Sequence, residues 1–270
     1  MTTFPRPRRV VVCADDFGLT DAASQSIATL SAAGAITATS CIVDGEFASR
    51  YANALRYSNS NLSVGLHFNL TELTASSLQK SLRGWLIDSF VVRSVDRRAV
   101  TLELTRQLDA FEKLFKSPPQ FVDGHEHVHQ FPVVRDALID VLSSRYGAQV
   151  AVRSTVPRAW RSAKAQIIAA LGGRALQRRL KSRGLNTNRD FAGVYNFTRT
   201  TPYELRMQNW LNTIADCGLI MCHPEMPSAQ SAVVCARADE HEYFASTRWT
   251  QQREAMGITL IPFTSASLQP

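Results

Sequence analysis

No apolar run in these 270 residues approaches the roughly 20 needed to cross a bilayer, so a membrane-spanning helix is not expected. The start, Met1 to Arg9, is polar and Arg-rich with only Val10 to Ala14 apolar behind it, which does not fit a secretory signal. Cysteine is scarce. The five present are scattered and odd in number, and Cys13, Cys41 and Cys222 fall in apolar, strand-like runs where Cys behaves as a small buried hydrophobe. Reduced thiols and a cytoplasmic address follow. There is no repeat of fixed period and no low-complexity tract. Acid is missing altogether from Arg153 to Arg189, where ten Lys or Arg residues stand, and that segment accounts for the net charge of +7. The remaining composition, 45% apolar and 20% charged, is that of an ordinary globular enzyme. The length suits one β/α barrel, so residues 1–270 are expected to form a single domain.

Seven short β-rich runs recur, each followed by a helix-like or loop stretch, the alternation of a parallel α/β fold. They are Val10–Ala14, Thr39–Val43, Ser63–Phe68, Gln120–Asp123, Gln149–Arg153, Leu219–Cys222 and Ile258–Pro262. Between them, Thr20 can cap a helix burying Ala23, Ile27 and Leu30 until Gly34, and Val100, Leu104, Leu108, Phe111 and Phe115 recur at helical spacing. Thr201-Pro202-Tyr203-Glu204 reads as a capping Thr followed by Pro at the first helical position, with the helix running to about Asp216. Seven strands suggest a barrel one unit short of the eight-stranded form. An open doubly wound sheet gives nearly the same pattern. Residues 156–197, about 40 between two strands, exceed a plain crossover and read as a helical, basic insertion.

Five of the six histidines, His67, His125, His127, His129 and His223, fall at or after strand ends, and Asp15 and Asp16 close the first strand. Active sites of β/α folds are built at the carboxyl ends of strands. A carboxylate and two imidazoles with open coordination positions make a divalent metal site, and such an ion supplies both needs of amide hydrolysis, an acidified water and a polarised carbonyl. A second acid and a further imidazole can then accept and donate protons. If the segment after the fourth strand is extended, alternation puts His125, His127 and His129 on one side. Each of these residues has a plainer reading: Asp-Asp as a cap and turn, a lone His as a satisfied core residue, Cys222 beside His223 as packing.

Four segments carry a resemblance to one family. Ala14-Asp15-Asp16-Phe17-Gly18-Leu19, Gly65-Leu66-His67-Phe68-Asn69-Leu70-Thr71, the run from Asp123-Gly124-His125-Glu126-His127 to Pro132, and Met221-Cys222-His223-Pro224 resemble the signatures of the YdjC-like carbohydrate deacetylases, a family with chitooligosaccharide and hopanoid-associated branches. The resemblance implies a seven-stranded β/α barrel related to the polysaccharide deacetylases, with one divalent ion, Mg or Zn, on Asp16, His67 and His125. It implies Asp15 as general base and His223 as general acid, with Arg153 orienting the base or the substrate, an N-acetylated sugar. Glu126 and the length of the insertion depart from the family pattern and bear on the substrate more than on the reaction.

Two rivals come from the same residues. His125-Glu126-His127-Val128-His129 satisfies the H-E-x-x-H pattern of zinc proteases, which works only inside a helix; Gly124 and Pro132 oppose one here. In the insertion, Ile167, Ile168, Leu171, Leu176 and Leu180 alternate with arginines, as in a helix lying on an anionic membrane, or equally in a lid over the barrel mouth. No nucleic-acid partner is expected, because no aromatic platform or known fold signature accompanies the charge. A homodimer is left open, and substrate choice is assigned to the insertion and the loop from Thr74 to Arg98.

Overall fold

The computed structural model describes residues 7–58, 61–72, 76–227 and 232–269. Most of the chain start discussed above, and Thr74 and Ala75 of the expected specificity loop, lie outside them. The strands are β1 (Arg8–Phe17), β2 (Ala38–Cys41), β3 (Ser63–Phe68), β4 (Phe121–Gly124), β5 (Ala151–Val152), β6 (Asp190–Ala192), β7 (Gly218–Cys222) and β8 (Ile258–Leu260). The helices are α1 (Asp21–Ala32), α2 (Glu46–Arg56), α3 (Leu82–Leu86), α4 (Arg97–Phe115), α5 (Val134–Tyr146), α6 (Ala163–Ile168), α7 (Arg174–Ser182), α8 (Tyr203–Thr213), α9 (Ala232–Ala245) and α10 (Thr247–Ala255).

All pairings are parallel, in the order β5-β4-β3-β2-β1-β7-β6, with β8 beside the start of β1. This order is the chain order read round a ring and cut between β5 and β6. A doubly wound sheet would reverse direction part-way, so the fold is the curled, seven-stranded barrel type. The cut is stitched rather than bare: Val152 N–H donates to Asn186 O at 2.9 Å, and Asn188 bonds both ways to the Ser154 backbone. Strand residues sort by the period of two. Val10, Val12 and Ala14 face the helices, whereas Val11 and Cys13 face the barrel interior with Phe121, Phe191, Leu219 and Phe263.

The seventh member of the ring is not the run expected at Ile258–Pro262. It is β6, inside the segment read as an insertion, so that segment holds a regular β/α step as well as its two helices. β6 escapes pattern reading because it has three residues and starts on a buried acid, Asp190, held by Arg161 at 2.7 Å and by the backbone N–H groups of Arg158 and Ala215. α1 and α4 form where spacing placed them, and Thr20 Oγ1 accepts from Ala23 N–H as its cap. α8 differs: Pro202, not Thr201, is its cap residue, without a side-chain bond, and it ends at Thr213.

Candidate active site

The carboxyl ends of β1, β3, β4 and β7 surround one cavity of about 400 Å³, onto which Asp15, Asp16, His67, His125, His127 and His223 open. Neighbouring residues of a regular strand point to opposite faces, so Asp15 and Asp16 could not both reach it from an unbroken β1. A bulge solves this. Ala14 pairs with Thr39 and Phe17 with Cys41, three steps against two, and Asp16 takes a left-handed backbone with φ 69°. Gly18 turns the chain away at φ 94°, where a Cβ would lie 2.7 Å from Ile42 O.

Asp15 continues the inward row of Val11 and Cys13 and meets Arg153. The guanidinium holds both carboxylate oxygens, Nη1 to Oδ2 at 2.5 Å and Nη2 to Oδ1 at 2.6 Å, and Nη2 also lies 2.5 Å from Asp123 Oδ2 and 3.0 Å from Cys13 Sγ. Cys13, Asp15 and Asp123 would by donor type suit a metal, but they already enclose a cation of the chain itself. Burial pushes the Asp15 carboxyl up, and the guanidinium overrides that to hold it below the usual carboxylate range.

Asp16 has the opposite surroundings. Its Oδ1 lies 3.0 Å from His125 Nδ1 and 3.5 Å from His67 Nε2, and those two nitrogens are 3.4 Å apart. Ligand atoms bonded at about 2.0–2.1 Å to a divalent ion are separated by about 2.8–3.0 Å in an octahedral site and about 3.3–3.4 Å in a tetrahedral one. The three atoms thus have the spacing of a coordination face. Asp16 Oδ1 is buried and accepts no well-angled hydrogen bond, which leaves that oxygen open to a ligand. The residues fit a divalent ion. Its other oxygen is held by Arg237 Nη2 at 3.0 Å.

Register orients His67: it stands opposite Asp123 across β3 and β4, and its Nδ1 lies 2.6 Å from Asp123 Oδ1 and 3.0 Å from Ser40 Oγ. That leaves Nε2 aimed at Asp16. Burial pulls the imidazole down, but the Asp123 carboxylate prevails and raises it to about 10. On the far wall burial pushes His223 down to about 4, which makes it neutral near pH 7. Its backbone N–H donates to Glu240 Oε2 at 2.6 Å, and Tyr195 OH donates to Glu240 Oε1 at 2.5 Å.

The sequence profile of YdjC-like proteins matches residues 9–255. This chain belongs to the YdjC-like family. Among curated relatives, a chitooligosaccharide deacetylase of Escherichia fergusonii is 32% identical over 133 residues, 47% of this chain and 52% of that protein. A carbohydrate deacetylase of Mus musculus is 28% identical over 264 residues, 88% of this chain and 84% of its own length, and the human one 34% over 159 residues, covering 48% of its length. The chain thus spans about half the length of several curated relatives it matches. Among solved structures, an Enterococcus faecalis protein named for cellobiose-phosphate cleavage superposes with a TM-score of 0.70 at 20% identity, over 95% of this chain and 98% of that one. At that identity the likeness speaks for the shared fold alone.

Within this YdjC-like site the H-E-x-x-H reading fails. His125 to Gln130 form a tight 3-10 turn with left-handed Glu126 (φ 50°) and His127 (φ 60°), not a helix and not an extended loop. The three imidazoles therefore diverge: His125 goes to Asp16, His127 to the cavity wall, and His129 into the interior with Nε2 3.1 Å from Arg153 O. The basic segment also resolves. Leu176 and Leu180 of α7 are fully buried, while Arg179 and Arg183 pair with Asp136 and Asp140 of α5. Of the apolar residues a membrane face would use, Leu176 and Leu180 are spent in the core while Ile167 stays 58% exposed, and Lys164 and Ile168 of α6 reach the cavity. Sequence reasoning missed Ser40, Arg237 and Glu240 and quoted Asp123 without a role. The parallel register of β3 and β4 was a usable signal for Asp123; nothing in the pattern of α9 marked Arg237 or Glu240.

Proposed function

We propose that this YdjC-like protein is a metal-dependent hydrolase that releases acetate from an N-acetylated sugar. The observation that carries this reading is the face formed by Asp16 Oδ1, His67 Nε2 and His125 Nδ1, with mutual separations of 3.0 to 3.5 Å, beside a second carboxylate clamped by arginine. The activity comes from the names of its relatives, carbohydrate and chitooligosaccharide deacetylases. A divalent ion on those three atoms would polarise an acetamide carbonyl and acidify water. The donor set suits Mg and Zn alike.

Asp15, kept ionised and aimed by Arg153, accepts the proton of the attacking water. Its carboxylate is a weak base, so the water must be acidified for the transfer to proceed. His223, neutral near pH 7, takes up a proton from solvent and passes it to the departing amine on the opposite side of the amide, while the proton accepted by Asp15 returns to solvent. The chain works as one barrel domain whose basic helical segment covers part of the mouth. Its five cysteines are free thiols, which suits a cytoplasmic enzyme. The test is acetate release across a set of N-acetylated sugars by protein stripped of metal and reloaded with Zn²⁺ or Mg²⁺. Metal-dependent acetate from at least one sugar supports the reading, and none from any sugar with any metal overturns it.

A further inference from the structure

The catalytic cavity does not end at its own rim. A second, larger cavity of about 780 Å³ adjoins it, and Lys164, Val194 and Tyr195 line both. Its walls come from the segment before α6 and from α8. Trp160 stands there 75% exposed, the side chains of Asn196, Asn209 and Asn212 make no hydrogen bond to any described residue, and no Asp or Glu lines the space. The floor is cross-linked: Arg161 is tied to Asp190 and Phe191 O, Lys164 Nζ donates to Tyr195 O at 2.9 Å, and the Arg206 guanidinium lies 4.8 Å over the Tyr195 ring.

A single exposed tryptophan needs no explanation. An exposed indole beside free amides, in a hollow adjoining a catalytic cavity, is different: flat rings offer a face to the C–H side of a sugar, and amides match its hydroxyls as donor and acceptor at once. The absence of acids disfavours cationic ligands. The first cavity, about 400 Å³, lies near the lower end of small-ligand sites, so a longer substrate must extend elsewhere.

We propose that this groove is a carbohydrate subsite, with Trp160 as its stacking platform, that binds the sugar units linked to the one being deacetylated. The inference rests on the deacetylase reading for its occupant, not for its geometry. The experiment compares N-acetylglucosamine with its β1,4-linked trimer in metal-loaded protein. Wild type should show a higher kcat/KM on the trimer, and Trp160→Ala should lower the trimer-to-monomer ratio by about five- to tenfold, the size expected for one lost ring contact. Asn209→Ala, an exposed change on α8, should lower the ratio in the same direction. Equal ratios in wild type and Trp160→Ala overturn the subsite. If no sugar yields acetate, the deacetylase reading falls, and trimer binding followed by intrinsic fluorescence and calorimetry still decides the groove. Trimer binding weakened by Trp160→Ala keeps it, and trimer bound no better than monomer removes it.

Discussion

Asp15 and Asp16 are neighbours in sequence, equally buried, and set in contrasting electrostatic worlds. Around Asp15 the positive charge is built in: Arg153 fills the space between Asp15, Asp123 and Cys13, and no room or need for another cation is left. Around Asp16 one oxygen meets Arg237 while the other faces only two imidazole nitrogens at coordination spacing. The comparison teaches that donor type does not define a metal site. Two clusters of ligand-type residues lie a few ångströms apart, and the one that fits an ion is the one in which a carboxylate oxygen, Asp16 Oδ1, has been left without a well-angled hydrogen bond.

The contrast can be broken most severely at Asp16. Asp16→Asn should empty the metal site and abolish turnover, whereas Asp15→Asn should keep the metal and lose about 10²- to 10⁴-fold in kcat, measured by metal content and acetate release. Metal lost from the Asp15 variant but kept in the Asp16 variant would reverse the two roles. Next in size is Arg153→Met, which removes the guanidinium that Asp15 and Asp123 share and should cost about 3–5 kcal/mol in urea unfolding. A loss under about 1 kcal/mol would mean that the internal ion pair is not what stabilises this side. Asp123→Asn, which frees His67, should weaken metal binding by about 10- to 100-fold without changing which residues bind, as titration with a competing chelator would reveal.

A smaller effect sharpens the far wall. Burial raises the Glu240 carboxyl to about 7, so the folded protein holds a proton that the unfolded chain releases from about pH 4.5 upward. Stability from this group falls as pH rises from about 4.5 to 7. His129 and His223, pushed down to about 4 by burial, act the other way, since the unfolded chain binds their protons first and stability rises between about 4 and 6.5. Glu240→Gln removes only the first contribution. The thermal midpoint of the variant relative to wild type should therefore climb between about pH 5 and 7, and a constant difference would mean that Glu240 keeps an ordinary acidity.

Much of this was legible before any coordinates. Long, periodic elements such as α1 and α4 announced themselves, and the residues that converge on the cavity were those at strand ends, because a parallel barrel collects those ends on one face. Short elements did not. β6 has three residues and an acid at its start, and its neighbours decide that it is a strand. The turn at His125 looked extended, whereas left-handed Glu126 and His127 send three imidazoles in three directions.

By itself the sequence determined the alternation of strands and helices, the order of the acids and histidines along it, and the family to which it belongs. Only the tertiary structure decided which aspartate has both oxygens held by an arginine and which has only one, because that depends on where Arg153 and Arg237, 138 and 221 residues away from their partners, come to rest. Local pattern records which groups are present; the balance of charge in a buried site is a sum over neighbours in space.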